Sequence, residues 1–385
     1  MKPLLIPYPV VISGYVRSPF TPAAKGALAR IRPDDLAASV VRELVRRTGV
    51  PLSDIEDLIV GCAFPEGEQG LNVARTIGLL AGLPLTIAAT TVNRYCGSSM
   101  QAIHMAAGAI QCNAGEVFIC AGVESMSRVP VMGFNPMPHP RLARDFPAAY
   151  QSMGCTAEAL ARSHDISRPS QEAFAARSQA KAAAAQSDGR FKDEIIAVMG
   201  TENELVAEDG CIRPDTSLAG LALLAPAFEA AGTVTAGTTS PLTDGAAAVL
   251  VTSEAYARAH ALPMLARLRS FAVAGCEPGM MGIGPVPAAS KALARAGLTL
   301  ADIDIIELNE AFAAQVLACI KDMALDPTRL NLDGGAIALG HPMGATGARI
   351  TGKAALLLQR EGKRFALATQ CIGGGQGIAT VLEAI

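Results

Sequence analysis

The chain has 385 residues, half of them apolar, and a formal net charge of −3; this is longer than one hydrophobic core usually supports, so two or three domains are expected. The near-neutral balance excludes a chain-wide attraction to nucleic acid or anionic membrane, so any polyanionic ligand must be met by local basic groups. No apolar run reaches the roughly 18 residues of a membrane span, and nine cysteines with no C-x-x-C pair indicate free thiols in a reducing cytoplasm rather than disulfides or zinc.

The opening Met1-Lys2-Pro3-Leu4-Leu5-Ile6-Pro7 carries one charge and prolines where a signal peptide keeps an apolar helix, and is expected to lead into a first strand. Leu44 to Asp57 reads as helix, a stop at Gly49 and a short loop, followed by a strand from Asp57 to Cys62. Cys96 follows a β-type segment and stands just before a helix read from Met100 to Gln111, with Gly97, Ser98 and Ser99 as turn and capping residues. Val117 to Ala121 is the next strand. The texture then changes: Pro130, Pro136, Pro138, Pro140 and Pro147 punctuate an irregular stretch, followed by helices over Thr156 to Ser163 and Ser170 to Ser187. Strand character returns over Ala246 to Thr252, and Leu293 to Asp304 then repeats the early pattern. Pairing Gly49 with Gly297 and Ile55 with Ile303 gives one offset, 297 − 49 = 303 − 55 = 248. Ile303 to Leu308 and Phe365 to Gln370 are the remaining strands. Strands alternating with helices argue for an α/β protein with largely parallel sheets covered on both faces. Residues 1–123 and 240–261 are thus read as one α/β half, 262–385 as its duplicate and 124–239 as an insertion. In this reading Cys96 and Cys371 occupy equivalent turns of the two halves.

Three segments carry reactive groups among small residues: Cys96-Gly97-Ser98-Ser99, Gly340-His341-Pro342-Met343-Gly344-Ala345-Thr346-Gly347 and Gln370-Cys371-Ile372-Gly373-Gly374-Gly375-Gln376-Gly377. Cysteine attacks as the thiolate, so a proton must leave a thiol whose ordinary pKa is about 8.5. A neutral His341 can take it, and a helix N-terminus favours the anion. A second proton-handling group is needed for a leaving carbanion or an incoming thiol, and Cys371 can serve. Gly373 to Gly375 free backbone N–H groups to face a carbonyl oxygen as it gains charge. Asn309, at a strand end in apolar surroundings, must find hydrogen-bond partners, and Glu310 beside it reads either as a general base or as a structural hydrogen-bonding group. His104 reads as structural, and Cys319 as core. No histidine pair has zinc spacing.

Asn93-Arg94-Tyr95-Cys96-Gly97-Ser98-Ser99-Met100, Asn309-Glu310-Ala311-Phe312-Ala313, Gly334-Gly335-Ala336-Ile337-Ala338-Leu339-Gly340-His341-Pro342 and Cys371-Ile372-Gly373-Gly374-Gly375-Gln376-Gly377 resemble, in that order, the signature segments of the thiolase family. The resemblance starts at Arg17-Ser18-Pro19-Phe20 and runs to the final strand. It is nearest to the bacterial members that act on 3-ketoacyl-CoA in fatty-acid β-oxidation. It implies duplicated halves in a five-layered αβαβα sandwich, with the inserted segment covering CoA. It also implies Cys96 as nucleophile, His341 as base and Cys371 as second acid and base, with Asn309 holding a water that forms one oxyanion hole with His341. The N–H groups of Cys96 and Gly373 form the other. Phe228, Ala236 and Ser240 would lie along pantetheine, Arg213 near the nucleotide, and Met281 and Phe312 along the acyl tunnel. CoA is implied as co-substrate and 3-ketoacyl-CoA as substrate, with no permanently bound cofactor or metal. A homodimer or dimer of dimers is implied, with or without a multifunctional β-oxidation subunit. Ser152 replaces the histidine that short-chain biosynthetic members carry on their covering loop, which argues against the acetoacetyl-CoA alternative. A ketoacyl synthase would show a second histidine where Cys371 stands, and a non-catalytic acyl-CoA or lipid carrier would lack one of the three reactive groups.

Overall fold

The long strands are near-continuous apolar runs buried on both faces, so successive residues pack into the layers on opposite sides of the sheet. The computed structural model describes residues 8–200 and 202–385, so the expectation for Met1 to Pro7 lies outside the described residues. Strand β1 (Val10–Arg17) is followed by α1 (Pro33–Thr48), β2 (Asp57–Gly61), α2 (Val73–Leu80), β3 (Ala88–Val92), α3 (Ser98–Gln111) and β4 (Val117–Ser125). The segment up to residue 242 includes α4 (Met153–Ser163) and α5 (Arg168–Ser187), and β5 (Thr243–Ser253) returns to the sheet. The remainder is β6 (Ala266–Gly275), α6 (Pro285–Ala296), β7 (Ile305–Leu308), α7 (Ala313–Met323), α8 (Met343–Glu361), β8 (Phe365–Ile372) and β9 (Gln376–Glu383).

These strands form one path, β7-β8-β9-β6-β1-β5-β4-β2-β3. On β5, Ala247, Val249 and Val251 face α3 and α8, while Ala246, Ala248 and Leu250 face the side of α1 and α2. On β8, Ala366 and Ala368 join the α3 and α8 core, and Phe365 and Leu367 pack with α6 and α7. Two buried helices thus lie between the two halves of the sheet and two further pairs cover the outer faces, giving the expected five layers. No helix among the described residues is long and apolar enough to cross a membrane.

The duplication is visible in order and register. Gly49 and Gly297 both close their helices in the left-handed conformation, with φ of 68° and 70°. The offset found in the sequence also relates β2 to β7 and β4 to β8, since 305 − 57 = 365 − 117 = 248. Each half has a parallel pair, β2 with β4 and β7 with β8, followed by antiparallel neighbours. Two expectations are corrected here. The sheets are mixed rather than largely parallel, because β1, β5, β6 and β9 run antiparallel to their neighbours; strands buried on both faces look alike in sequence whichever way they run. Nor do Cys96 and Cys371 occupy equivalent turns. Cys371 lies inside β8 and is followed by a hairpin, whose Gly374 and Gly375 have φ of 78° and 83°, and not by a helix. The counterpart of the α3 entrance, where Cys96 sits, is the entrance of α8, where His341 sits.

Close approach at the centre requires missing side chains. A Cβ on Gly122 of β4 would lie 2.1 Å from the Gly344 carbonyl oxygen, so the first turn of α8 rests directly on the strand. A buried ion-pair network ties the segment between β4 and β5 to this core. Arg17 on β1 is fully buried, donates to both oxygens of Asp209 at 2.7 Å and reaches Glu194 at 2.9 Å, while Lys353 of α8 joins Glu194 to Asp333. Arg17→Ala, which leaves buried Asp209 without a cation and Glu194 with Lys353 alone, is expected to cost about 3–5 kcal/mol in urea unfolding; a loss below roughly 1 kcal/mol would show that water replaces the guanidinium there.

Candidate active site

Cys96 sits on a tight elbow. Tyr95 adopts a left-handed φ of 42°, and Ser98 closes the turn by accepting the Arg94 N–H at 2.9 Å and donating to the Tyr95 carbonyl at 2.6 Å. The Gln370 amide donates to the Cys96 carbonyl, which fastens the elbow to β8. Helix α3 begins two residues later, and the backbone N–H groups of Gly373 and of Cys96 itself face the sulfur. Burial nevertheless dominates and pushes the thiol up to about 11.

His341 is held on three sides. Its N–H donates to Thr243 Oγ1 at 3.1 Å, and Nδ1 lies 2.6 Å from Thr346 Oγ1, whose own proton goes to the Pro342 carbonyl at 3.0 Å. That hydroxyl can therefore only accept from the ring, which places the imidazole proton on Nδ1 and leaves Nε2 with its lone pair. Asn309 Nδ2 approaches Nε2 at 3.4 Å. Burial, and after it the Arg349 charge, pull the imidazole down to about 3, so His341 is neutral at physiological pH.

Asn309 follows β7 and donates its N–H to the Thr369 carbonyl. Next to it, the buried Glu310 accepts from Ser178 Oγ at 2.6 Å, Asn331 Nδ2 at 2.7 Å and Ile337 N at 3.2 Å. Of its two readings the structural one holds, since those bonds join α5, the 331 loop and the short helix Ala336–Leu339 to the strand end. Cys371 is buried beside Met281 and Phe312. Burial first, then the proximity of Cys96, raise its thiol well above the ordinary value.

Cys96, His341 and Cys371 line one cavity of about 300 Å³, together with Phe228, Ser240, Met281 and Phe312. Phe228 and Phe312 meet edge to face, with ring centroids 5.9 Å apart, so the residues expected along pantetheine and along the acyl tunnel share a single space. Asn309 stands behind His341, and Gly373 faces an adjoining cavity that also reaches Cys96. Arg213 and Ala236 lie outside both linings: Arg213 is exposed with its backbone N–H on Gln179 Oε1, and Ala236 is exposed at the start of a 3-10 turn.

Sequence reasoning missed several residues here. Thr346 lay inside the quoted His341 segment, five residues on, and its hydroxyl was the available signal. Glu124 accepts from the N–H groups of Ala63 and Gly344 and from the Gln69 amide at 2.8–2.9 Å, pinning the α8 entrance and the loop beside Cys96. Thr243 and Val131 gave no local signal, because only the chain fold brings them near. As expected, His104 is structural: it bonds Thr380 Oγ1 at 2.7 Å and stacks on Phe271, and burial lowers it to about 3.

Two histidines held neutral carry a stability consequence. Unfolded, each binds a proton below its ordinary pKa near 6.5; folded, neither does until about 3. Stability is therefore fully present above pH 6.5 and falls as pH drops toward 3, by about 1.4 kcal/mol per unit for each histidine. Thermal melting between pH 7 and 4 is expected to fall less steeply in the His104→Gln variant; an unchanged slope would contradict a neutral buried ring.

Two thiols and a neutral imidazole beside one apolar cavity, on a duplicated α/β scaffold, define an enzyme of thiol-dependent acyl transfer. The N-terminal domain model of the thiolases matches residues 10–255 and their C-terminal domain model residues 262–384. The chain is 48% identical to a 3-ketoacyl-CoA thiolase of Bacillus subtilis over 386 residues, covering 97% of this chain and 98% of that one. It is 50% identical to one from Shewanella denitrificans over 384 residues, covering 97% and 99%. Human mitochondrial 3-ketoacyl-CoA thiolase in complex with CoA superposes with a TM-score of 0.91 at 37% identity over 98% of both chains. An acetyl-CoA acetyltransferase of Bacillus anthracis does so with 0.91 at 38%, over 98% of this chain and 99% of that one. The chain belongs to the thiolase family.

Proposed function

We propose that the chain cleaves 3-ketoacyl-CoA with CoA, giving acetyl-CoA and a shortened acyl-CoA in fatty-acid β-oxidation. The observation that carries this reading is the convergence of Cys96, His341 and Cys371 on one apolar cavity. With His341 low and Cys96 high, the resting pair is thiol and imidazole, not thiolate and imidazolium. Deprotonation is thus coupled to attack. His341 Nε2 takes the Sγ proton as sulfur adds to the 3-keto carbon, and the new oxyanion is met by the N–H groups of Cys96 and Gly373. The bond between C2 and C3 then breaks and its electrons pass to the departing acetyl-CoA as an enolate. The enolate oxygen faces protonated His341 and a water held by Asn309, while Cys371 delivers a proton to C2. CoA enters next, its thiol gives a proton to the Cys371 thiolate, and its sulfur displaces the acyl group from Cys96, which recovers its proton from His341.

Pantetheine contacts at Phe228, Ala236 and Ser240, and a nucleotide contact at Arg213, belong to the same proposal, as does the division into residues 1–123 with 240–261, 124–239 and 262–385. So do a cytoplasmic setting and a dimer, alone, paired or with a multifunctional partner. Support for a dimer comes from β3, which ends the sheet path, and from Leu79, Leu80 and Leu85, which leave apolar surface exposed near it. The biosynthetic alternative, condensation of two acetyl-CoA, has the Bacillus anthracis likeness in its favour and Ser152 against it. The test is CoA-dependent thiolysis of 3-ketoacyl-CoA with the intact enzyme mass measured in parallel. Turnover with a transient acyl adduct is expected, and the absence of both would overturn the reading.

A further inference from the structure

Two walls meet at Cys96, and one carboxylate is bonded to both. Ala63 and Phe64, from the turn after β2, and Met343, the first residue of α8, pack with Cys96 in a single apolar cluster. Behind them the Glu124 side chain, 1% exposed near the end of β4, takes five donors. Its Oε2 accepts the N–H groups of Ala63 at 2.8 Å and Gly344 at 2.9 Å. Its Oε1 accepts the Phe64 N–H at 3.3 Å, Gln69 Nε2 at 2.8 Å and, weakly, the Cys62 thiol at 3.8 Å. Ser125 settles the orientation of Gln69, because its N–H donates to Gln69 Oε1 at 2.6 Å and leaves the amide N–H groups to Glu124 and the Phe64 carbonyl. Four of the five donors are N–H groups with nothing to accept a proton, so the carboxyl is held as the anion although burial raises it above its ordinary value. None of the five carries a positive charge.

From this arrangement we infer that Glu124 is a positioning residue for thiolysis: it fixes the gap between Cys96 and His341, and its buried charge favours the imidazolium that forms at His341 over a free thiolate at Cys96. The inference rests on the thiolysis reading and deepens it. His341 stands two residues before α8, whose N-terminus is the positive end of the helix dipole, and the Arg349 cation lies farther along the same helix. Both oppose a positive charge on the ring. Of the first N–H groups of α8, those of Ala345 and Thr346 go to the Pro342 carbonyl, and that of Gly344 goes to Glu124. The carboxylate thus caps the helix end from another element and offsets its field where the imidazolium appears. At Cys96 the same anion works in the other direction, since a thiolate near it is a like charge. Proton transfer is therefore favoured only while the sulfur's charge passes into the carbonyl, and an idle thiolate is disfavoured. The other titratable groups around this anion are Cys62 after β2, Asp244 on β5, which is bonded to Ser125 and Ser127, and Cys371 across the cavity.

Glu124→Gln keeps the shape of the side chain and removes its charge. In the full chain, kcat for thiolysis is expected to fall about ten-fold or more with KM within about two-fold of wild type. Alkylation of Cys96 at pH 8, followed by mass on its peptide, supplies a readout that loosened packing would not move. The ratio of the iodoacetate rate to the iodoacetamide rate is expected to rise about three-fold or more, because only the anionic reagent is repelled by the buried charge. Looser packing would raise both rates alike. Glu124→Asp, which keeps the charge and shortens the reach, is expected to lower kcat and leave that ratio as in wild type. An unchanged kcat in Glu124→Gln, or a lowered kcat with an unchanged ratio, would overturn the inference. Absence of thiolysis in the wild type would remove the thiolysis reading alone, since the alkylation ratio does not depend on turnover. Should Glu124→Gln fail to fold, Gln69→Met, which takes one donor from the carboxylate, is expected to move the acid limb of kcat up by about one pH unit, because the anion is the working form and protonates as pH falls. No displacement in that variant counts against the role.

Discussion

Cys96→Ala is expected to abolish acyl-enzyme formation and to lower thiolysis by on the order of 10⁴-fold or more, as removal of a covalent nucleophile does when the rest of the site stays intact. The thiol is the only group at the α3 entrance whose sulfur faces two backbone N–H groups. Neither neighbouring hydroxyl can replace it: Ser98 Oγ is committed to the Tyr95 carbonyl and Ser99 Oγ to the Ala348 N–H. Cys371 is the obvious rescuer, yet it sits on the β8 side of the cavity and lacks the Gly373 N–H that opposes burial at Cys96. Melting temperature is expected to move little, since Sγ faces an existing cavity and its loss opens little new buried space. Intact mass after mixing with substrate is the decisive measurement. An acyl adduct persisting in the alanine variant would place the nucleophile elsewhere and sink the scheme.

Much of this was legible in the chain, for identifiable reasons. Glycine stops and strand patterns are local, so Gly49 and Gly297 revealed the duplication without any contact being known. The helix after Cys96 could be read from its capping residues and starts two residues earlier than expected. What failed was the symmetry of the chemistry. Both cysteines precede glycine- or serine-rich turns, and composition cannot distinguish a turn that opens a helix from one that folds a strand back on itself; the positive φ at Gly374 and Gly375 makes the difference at Cys371. The true counterpart of Cys96 is the His341 entrance, so the duplication gave one helix end to the nucleophile and the other to its base. Long-range partners were equally silent. Glu124 read as the start of an irregular segment, although it lies on β4 and holds the α8 entrance through the Gly344 N–H.

His341→Ala is expected to lower kcat/KM by about 10³-fold, the typical contribution of a positioned base, and to change the pH profile in a way a structural role would not. In the wild type, Nε2 stays unprotonated down to about pH 3, so acylation is expected to be nearly flat from pH 6 to 9. Without the imidazole, reaction depends on the fraction of Cys96 already ionised, and burial holds that thiol up to about 11. The variant's rate should then climb about ten-fold per pH unit across the same range. Thr346→Val provides the graded comparison. It removes the acceptor that fixes the proton on Nδ1, leaves that N–H unpaired in a buried site and frees the ring to adopt the other tautomer. A smaller loss with a flat profile is expected, because a base is still present but less often in the competent form. A flat profile in His341→Ala would mean that Cys96 loses its proton to another group, and the imidazole would then be no more than a wall of the cavity.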